Sequence, residues 1–434
     1  MAQTPSENAL KSAKAFLRDG YPFIQRGTER NHSPIFQIDL LGFKTTCIHG
    51  KEATRIFYDQ EKFIRNGAVP ERIQKTLMGE NAIHTMDDAP HRHLKGVFLS
   101  LMLPEKNIQQ LLDHMARFWK AYLGKWEKTT STVLFEDALE IMCLTAYAWA
   151  GVPLEPTEVR KKALDNWAMV DAFGAVGPRH WRGRSARNRI ENWIGDIIRN
   201  IRKGTLAATP GTAAYEIAHY RDLDGKQFST RKAAIELINA TRPIIAIAAY
   251  ISFAALALHK HPDERMKLLH GSDAYTEMFV QEVRRLYPFA PFLGARARTN
   301  FKWNGHQFKK GRLVLLDVYG LLHDGQVWDN PEQFNPERFK AWDGSRYDFI
   351  PQGGGDHALG HRCPGERITI EAMKLAVNML TRCMEYEVPE QDLSFSLQRL
   401  PTFPKSGFII TKVKKTGDFS PVASAAAKCP FHHS

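Results

Sequence analysis

The stretch FIPQGGGDHALGHRCPGE, residues 349–366, sets one cysteine among five glycines, two prolines and two histidines. It runs straight into GERITIEAMKLAVNML, whose apolar residues recur at helical spacing. Cys363 therefore stands just ahead of a helix N-terminus, where backbone N–H groups and the positive end of the helix stabilise a thiolate. Glycines let backbone approach a flat ligand closely and adopt positive φ, so the loop reads as a cradle pressing something broad and planar against sulfur. Cys363 is thus suited to hold a metal. Pro364 has no N–H, and donors to the sulfur must come from later residues such as Gly365 and Glu366. A zinc site built from His357, His361 and Cys363 lacks a clear fourth ligand.

Two segments upstream bear on this loop. In DAYTEMFVQEVRRLYP, residues 273–288, Glu282 and Arg285 lie three apart on a helix that Pro288 closes, so they share one face and pair. Alone such a pair is commonplace and worth a few tenths of a kcal/mol. WDNPEQFNPERFKAW, residues 328–342, adds Arg338 as the third member of a buried network. Earlier, PIIAIAAYISFAALAL, residues 243–258, is the longest apolar run. It is shorter than the ~18–20 apolar residues that span a bilayer and has Arg242 at its mouth, so it reads as a helix buried in protein.

Composition bounds the remaining possibilities. A chain of 434 residues with 43% hydrophobic side chains buries a large core. Its five cysteines are scattered and never paired as CxxC, which argues for a reducing compartment, the cytoplasm. The N-terminus lacks the apolar core of a signal peptide, and no transmembrane segment is expected. A net charge of +12 is densest in PRHWRGRSARNR, residues 178–189. Without a zinc finger or RNA-binding aromatic motif beside it, that patch reads as a solvated basic helix and loop, with no nucleic-acid partner. An attraction for anionic substrates or membrane surfaces stays open. Helical patterning dominates the first 290 residues, and strand signals are short and peripheral: FQIDLLGFKTTCIHG, RLVLLDVYG and SGFIITKV. The expected organisation is one domain over residues 1–415 and a flexible tail over 416–434, whose Cys429, His432 and His433 bind at most stray metal.

In combination, Glu282-x-x-Arg285, then Asn335-Pro336-Glu337-Arg338-Phe339, then the Cys363 loop are highly specific. In that order they resemble the cytochrome P-450 haem-thiolate enzymes over essentially the whole chain. The resemblance implies a mainly α fold with small β-sheets that binds haem b. It makes Cys363 the axial iron ligand and Glu282, Arg285 and Arg338 the structural triad behind it. APHRHLKGVFLSLM then looks like the helix that grips the haem propionates through His91 and Lys95, four apart on one face, with His361 and Arg296 as further propionate partners.

The departures from the pattern narrow it. Where monooxygenases of this family carry an acid and a threonine that relay protons to dioxygen, INATRPIIAIAA has Arg242 and Pro243. A guanidinium cannot relay protons and proline has no hydroxyl. The cysteine loop is also longer than usual by Gly353-Gly354-Gly355-Asp356. Both departures resemble the bacterial fatty-acid peroxygenases, which take hydrogen peroxide in place of dioxygen and need no redox partner. An unpaired buried arginine costs several kcal/mol, and a fatty-acid carboxylate bound to Arg242 removes that cost and becomes the acid/base that splits peroxide. The branch implies oxidation of long-chain fatty acids at the alpha or beta carbon, giving 2- or 3-hydroxy acids and, by oxidative decarboxylation, terminal alkenes. It also implies that Val170, Phe173, Phe289 and Phe292, otherwise ordinary core residues, line an acyl-chain channel, with Met78 and His84 over the haem face. His84, whose imidazole changes charge near neutral pH, is the expected selector between hydroxylation and decarboxylation. A reductase-dependent monooxygenase and a non-catalytic haem or fatty-acid binding protein are the alternatives.

Overall fold

Helix Thr230–Lys260 is the element around which the rest is arranged. The computed structural model describes residues 4–417 apart from residue 41. The Ser229 side chain accepts from the Lys232 N–H and starts the helix, whose residues are apolar all round and so need protein on every side. Helices Leu134–Ala150, Pro178–Arg202 and Glu366–Asn378 pack against it. By length and composition the 31-residue helix is able to cross a membrane, but 94% of its most apolar 18 residues are buried inside the protein. Burial, not the shortness of the apolar run, is what makes it a core helix. Pro243 sits inside it without an N–H, so the Asn239 carbonyl one turn back has no intrahelical partner there.

The strands are short, as the sequence suggests, yet they combine into one larger sheet. Its six strands run in the order Ser6–Glu7, Ile35–Leu40, Phe43–Ile48, Leu313–Asp317, Phe292–Ala297 and Phe63–Ile64. Phe43–Ile48 and Leu313–Asp317 pair in parallel with Cys47 opposite Leu315, joining segments far apart in the chain. A three-stranded sheet and the hairpin Phe301–Trp303/His306–Phe308 complete the β structure. Residues 418–434 lie outside the described residues, and with them Cys429, His432, His433 and nearly all of the expected tail.

The basic run of residues 178–189 falls on helix Pro178–Arg202, but it is not simply a solvated face. Arg187 is fully buried and pairs with Glu191 at 2.9 Å; Arg182 pairs with Asp171 at 2.9 Å; Arg184 donates to the Lys75 carbonyl at 2.6 Å. Much of the charge is structural because the long side chains reach across to neighbouring elements.

Helix Asp273–Leu286 carries the expected triad. Arg285 grips Glu282 with two hydrogen bonds of 2.7 and 2.9 Å, both residues wholly buried, and Arg338 reaches the same carboxylate at 3.1 Å. The Asn335 N–H adds a third donor at 2.9 Å. Arg285 also donates to the Leu322 and Pro331 carbonyls, each at 2.7 Å. One carboxylate thus ties a helix to the segment leading into the cysteine loop, and the fork of each guanidinium leaves few donors unused. Breaking a buried pair leaves an uncompensated charge, so Glu282→Ala is expected to cost about 3–5 kcal/mol in chemical unfolding. Glu52→Ala, which removes an exposed pair with Arg55 at 3.6 Å, should cost under about 0.5 kcal/mol. Equal losses would show that the triad is no tighter than a surface pair.

Candidate active site

Between the central helix, helix Asp88–Met102 and the cysteine loop lies a cavity of about 290 Å³. Cys363, Gly353, Pro364 and Gly365 line it from the loop. The Cys363 N–H donates to the Gln352 carbonyl at 3.1 Å, the Gln352 side-chain amide lies 3.8 Å from the sulfur, and the Gly365 N–H points at the sulfur, as the missing donor of Pro364 requires. The expectation that the loop by itself favours a thiolate is corrected here. Burial, reinforced by Glu366, pushes the Cys363 thiol up, and the Gly365 N–H, Lys95 and Arg284 do not reverse it. A bound cation has to supply the balance.

The glycine run also does something other than cradle a ligand. A Cβ on Gly354 would sit 2.5 Å from the Arg346 carbonyl, and one on Gly355, at φ +72°, 2.8 Å from Tyr58. The run folds around the Tyr58 ring and clears the backbone of residue 346. Gly353 and Gly365 are the glycines that border the cavity.

Behind the sulfur stands a second charged network that the sequence reading overlooks. Arg284 donates to Gln352 at 2.9 Å and to Glu366, and Arg362 donates to the other Glu366 oxygen at 2.7 Å. Burial raises the Glu366 carboxyl, but Arg284 and Arg362 outweigh it and hold the group down at about 2. The available signal was the pair Arg284-Arg285: neighbours on a helix point about 100° apart and cannot both serve one triad.

Basic side chains gather along one edge, where burial holds the His91 and His361 imidazoles down at about 3 and about 4, neutral at pH 7, and leaves the positive charge to Lys95 and Arg65. His91 and Lys95 share the buried face of helix Asp88–Met102. Lys95 donates to the Gly360 carbonyl and to the Arg362 carbonyl at 2.8 Å, and burial lowers its ammonium to about 8. His91 stacks on His361 with centroids 3.9 Å apart, and His361 lies 3.6 Å from Asp87. Arg65, absent from the sequence reading, is buried over the Phe57 ring at 4.3 Å and beside the same histidines. Arg296, in contrast, donates to the Gly67 and Gly311 carbonyls at 2.6 and 2.7 Å and does not border the cavity. Its place on strand Phe292–Ala297 spends it on loop closure.

The opposite wall belongs to the central helix. Asn239, Ala240, Pro243 and Ile244 line it, and Arg242 stands behind them: it is buried, does not itself border the cavity, and donates through Nη1 to the Leu77 carbonyl and, at 3.1 Å, to Asn239. No carboxylate among the described residues pairs with it. Glu236, the nearest acid to act on it, is taken by Lys232 at 2.9 Å, by the Ile83 N–H at 3.0 Å and by Asn239 at 3.2 Å. Burial, with Arg187 adding to it, lowers Arg242 to about 9, which leaves it charged at neutral pH. Pro243 turns its ring to the cavity, and His84 borders the same space with its Nδ1 unpartnered. Burial first, then Arg242, depress His84 to about 3, so it is neutral here, which corrects the expectation that it titrates near pH 7.

Of the expected acyl-channel residues, Phe289 lines the cavity, stacked on Tyr250 at 4.5 Å. Phe173 and Phe292 face each other 6.5 Å apart, with Phe16 6.2 Å from Phe292, and with Val170 they lie off the cavity wall. Met78 gives its carbonyl to Asn239 at 2.9 Å, and its side chain does not border the cavity. No cluster of three or more His, Cys, Asp or Glu that would hold a metal ion occurs among the described residues, and His357 is spent on the Cys363 carbonyl at 3.0 Å, which removes the zinc reading. The donors do fit haem: one soft sulfur on an apolar floor, glycines without side chains beside it, and Lys95, His91 and Arg65 along one edge for two propionates.

A family model described as Cytochrome P450 matches residues 272–411. Cytochrome P450SP alpha (CYP152B1), solved in complex with (R)-ibuprophen, is 44% identical, with 92% of this chain and 98% of that one covered at a TM-score of 0.90. Cytochrome P450EX alpha (CYP152N1) with myristic acid is 38% identical, covering 96% of this chain and all 100% of the other, at 0.92. A variant of cytochrome P450 OleT in complex with arachidonic acid is 36% identical, with the same coverage and TM-score. Among curated relatives, cytochrome P450 3A5 of Homo sapiens is 30% identical over 198 residues, 38% of this chain and 39% of that protein. Psoralen synthase of Pastinaca sativa is 35% identical over 121 residues, 27% and 25%. The chain thus spans a quarter to two-fifths of the length of these curated relatives. The reduced haem-loaded protein is expected to bind carbon monoxide with the red-shifted Soret band of thiolate ligation, and Cys363→Ala to lose it. An unchanged spectrum in the variant would rule Cys363 out as the ligand.

Proposed function

The chain belongs to the cytochrome P450 family, and from that premise we propose that it oxidises long-chain fatty acids with hydrogen peroxide, the substrate carboxylate being held by Arg242. The observation that carries this is Arg242 itself: a buried guanidinium with no protein carboxylate paired to it among the described residues, set just behind the cavity wall, bonded to Asn239 and directly before Pro243, both of which line the space. Two of the related structures hold the fatty acids myristic acid and arachidonic acid, which is the chemistry such a cation asks for.

Cys363 would hold the iron of haem b, and Lys95, His91, His361 and Arg65 would hold its propionates. When bound, haem supplies the iron on which peroxide is cleaved, with thiolate donation favouring the break between the two oxygens. The protein's own part begins with the carboxylate. Arg242 uses Nη1 on Leu77 and Asn239, and its Nε and Nη2 have no hydrogen-bond partner among the described residues, which leaves a fork matched to a carboxylate. The carboxylate held there takes a proton from hydrogen peroxide and returns it to the oxygen that leaves as water, so the substrate does the work of the acid and threonine missing at Arg242 and Pro243. No reductase is needed. Anchoring one end of the acid confines reaction to the carbons next to it, the alpha and beta positions. Ile244, Ile247, Leu293 and Phe289 give the cavity apolar walls that exclude water.

His84 enters once the carboxylate arrives. The negative charge offsets Arg242, the strongest charged neighbour depressing the imidazole, and raises its pKa, so His84 becomes a donor to the carboxylate that glutamine matches only as a neutral amide. Decarboxylation and hydroxylation separate by little: about 1.4 kcal/mol between barriers changes their ratio tenfold.

With peroxide and a saturated long-chain acid, Arg242→Ala is expected to lower kcat/KM at least about 100-fold, roughly 2.7 kcal/mol. A short carboxylic acid added with a non-acid substrate should restore turnover in the wild type by filling the same fork; undiminished oxidation by the variant would exclude substrate-assisted chemistry. Terminal alkene should accompany the hydroxy acids, and His84→Gln should shift the mixture toward hydroxylation. Identical alkene fractions in matched peroxide would remove His84 from the branch point.

A further inference from the structure

Large apolar side chains stand out in solvent on two neighbouring segments. On helix Ala9–Asp19, Leu10 and Leu17 are 66% and 72% exposed, while Ser12, Ala15 and Asp19 form its buried side. Seven residues separate the leucines, so they lie on one outward stripe with Lys14 between them and Lys11 and Arg18 beside it. In and after the loop that leads into helix Pro178–Arg202, Val176 is 71% and Trp181 66% exposed. The two segments meet on one stretch of chain. Gly20 comes so close to the Leu397 carbonyl that a Cβ there would be 2.0 Å from it, a Cβ on Gly174 would lie 3.2 Å from the Leu400 side chain, and Arg179 donates to the Leu400 carbonyl at 3.0 Å. Phe16 and Phe173 pack in the cluster that contains Leu400.

The charge around this face is one-sided. Residues 8–18 and 172–190 contain no Asp or Glu; of the five arginines in the second stretch, Arg187 is buried against Glu191 and Arg189 pairs with Asp165, so those two are spent on the protein's own acids. The buried acids beneath are outnumbered: Asp19 serves Arg18, Arg26 and Arg30 at 2.8, 3.1 and 2.9 Å, and Asp171 serves Arg182 and Arg399 at 2.9 and 2.6 Å. We propose that this face docks on the surface of an anionic lipid bilayer, with Leu10, Leu17, Val176 and Trp181 seated among the headgroups and Lys11, Lys14, Arg18 and Arg182 against their charge. Leucine and tryptophan flanked by cations are what an interfacial element presents, and a second copy of this chain would bring like charge against like. The docking surface is independent of the peroxide chemistry, although Phe173 lies just behind it, where an acyl chain leaving the bilayer would arrive.

Flotation with vesicles tests this. The haem-loaded wild type should float with phosphatidylglycerol/phosphatidylcholine vesicles, only weakly with phosphatidylcholine alone, and should be released at about 1 M salt, where charges are screened within about 3 Å. Leu17→Glu/Trp181→Glu should cut the bound fraction at least tenfold while keeping haem content and turnover of a dispersed short acid. Leu223→Glu, at a leucine 55% exposed elsewhere, should bind like the wild type. The proposal fails if the wild type does not float, if both vesicle types bind alike, or if the double variant binds undiminished. It fails equally if sedimentation shows a dimer that the double variant splits and no vesicle binding, which would make a second copy the occupant.

Discussion

A sulfur atom deep in the protein, open only to the cavity it lines, cannot stay ionised unless positive charge replaces the solvent it has lost, and the architecture around Cys363 follows from that constraint. The thiol is raised by burial even with the Gly365 N–H aimed at it and Lys95 and Arg284 nearby. The loop must then be held in one shape by bonds that do not run through the sulfur. Two buried networks do this on two faces of helix Asp273–Leu286. Glu282 with Arg285 and Arg338 secures the approach to the loop, and Arg284 with Glu366, Arg362 and Gln352 secures the loop and the helix after it. Because each carboxylate is shared by two guanidiniums, neither network can relax by rotating one side chain.

The opposite wall obeys the complementary rule. Arg242 is a cation deprived of water, and the protein gives it neutral oxygens, the Leu77 carbonyl and the Asn239 amide, in place of an anion. Neighbouring side chains hold those acceptors in place. Arg187 donates to the same Leu77 carbonyl at 3.0 Å, Arg184 to Lys75 and Asn239 to Met78, so the short turn at residues 74–78 is pinned by its carbonyls. Gly79 permits this, since a Cβ there would lie 2.4 Å from Ile235 and 2.6 Å from Arg187.

What the sequence made legible was whatever depends on residue type and order. Cys363 before a helix, the Glu282/Arg285/Arg338 set and the Arg242-Pro243 pair need no coordinates to be suspected, because few chemistries use them in that arrangement. What stayed hidden depends on burial and on distant partners. The triple glycine speaks of close approach without saying to what, and Tyr58, some 300 residues earlier in the chain, turned out to be the neighbour. His84 carries no mark of its surroundings, and enclosure, with Arg242 adding to it, moves its titration out of the neutral range. Arg296 and Arg65 look alike in sequence; only pairing of strand Phe292–Ala297 with Phe63–Ile64 sends one to loop carbonyls and the other toward His361. Phe289 and Phe292 are three residues apart, yet one borders the cavity and the other packs beyond it, where the strand Phe292–Ala297 begins.

The Leu77 carbonyl has a selective effect that follows from its hold on Arg242. A guest reaching the guanidinium competes with an oxygen already in place and already fixed by a second arginine. An alcohol, ester or amide offers a dipole for a dipole and gains little by the exchange, whereas a carboxylate brings full charge and hydrogen bonds about twice as strong. The resident oxygen sets a threshold that only anions clear. Discrimination between an acid and its uncharged analogues is thereby written into the protein itself, at a main-chain atom that no side-chain substitution at position 77 can delete.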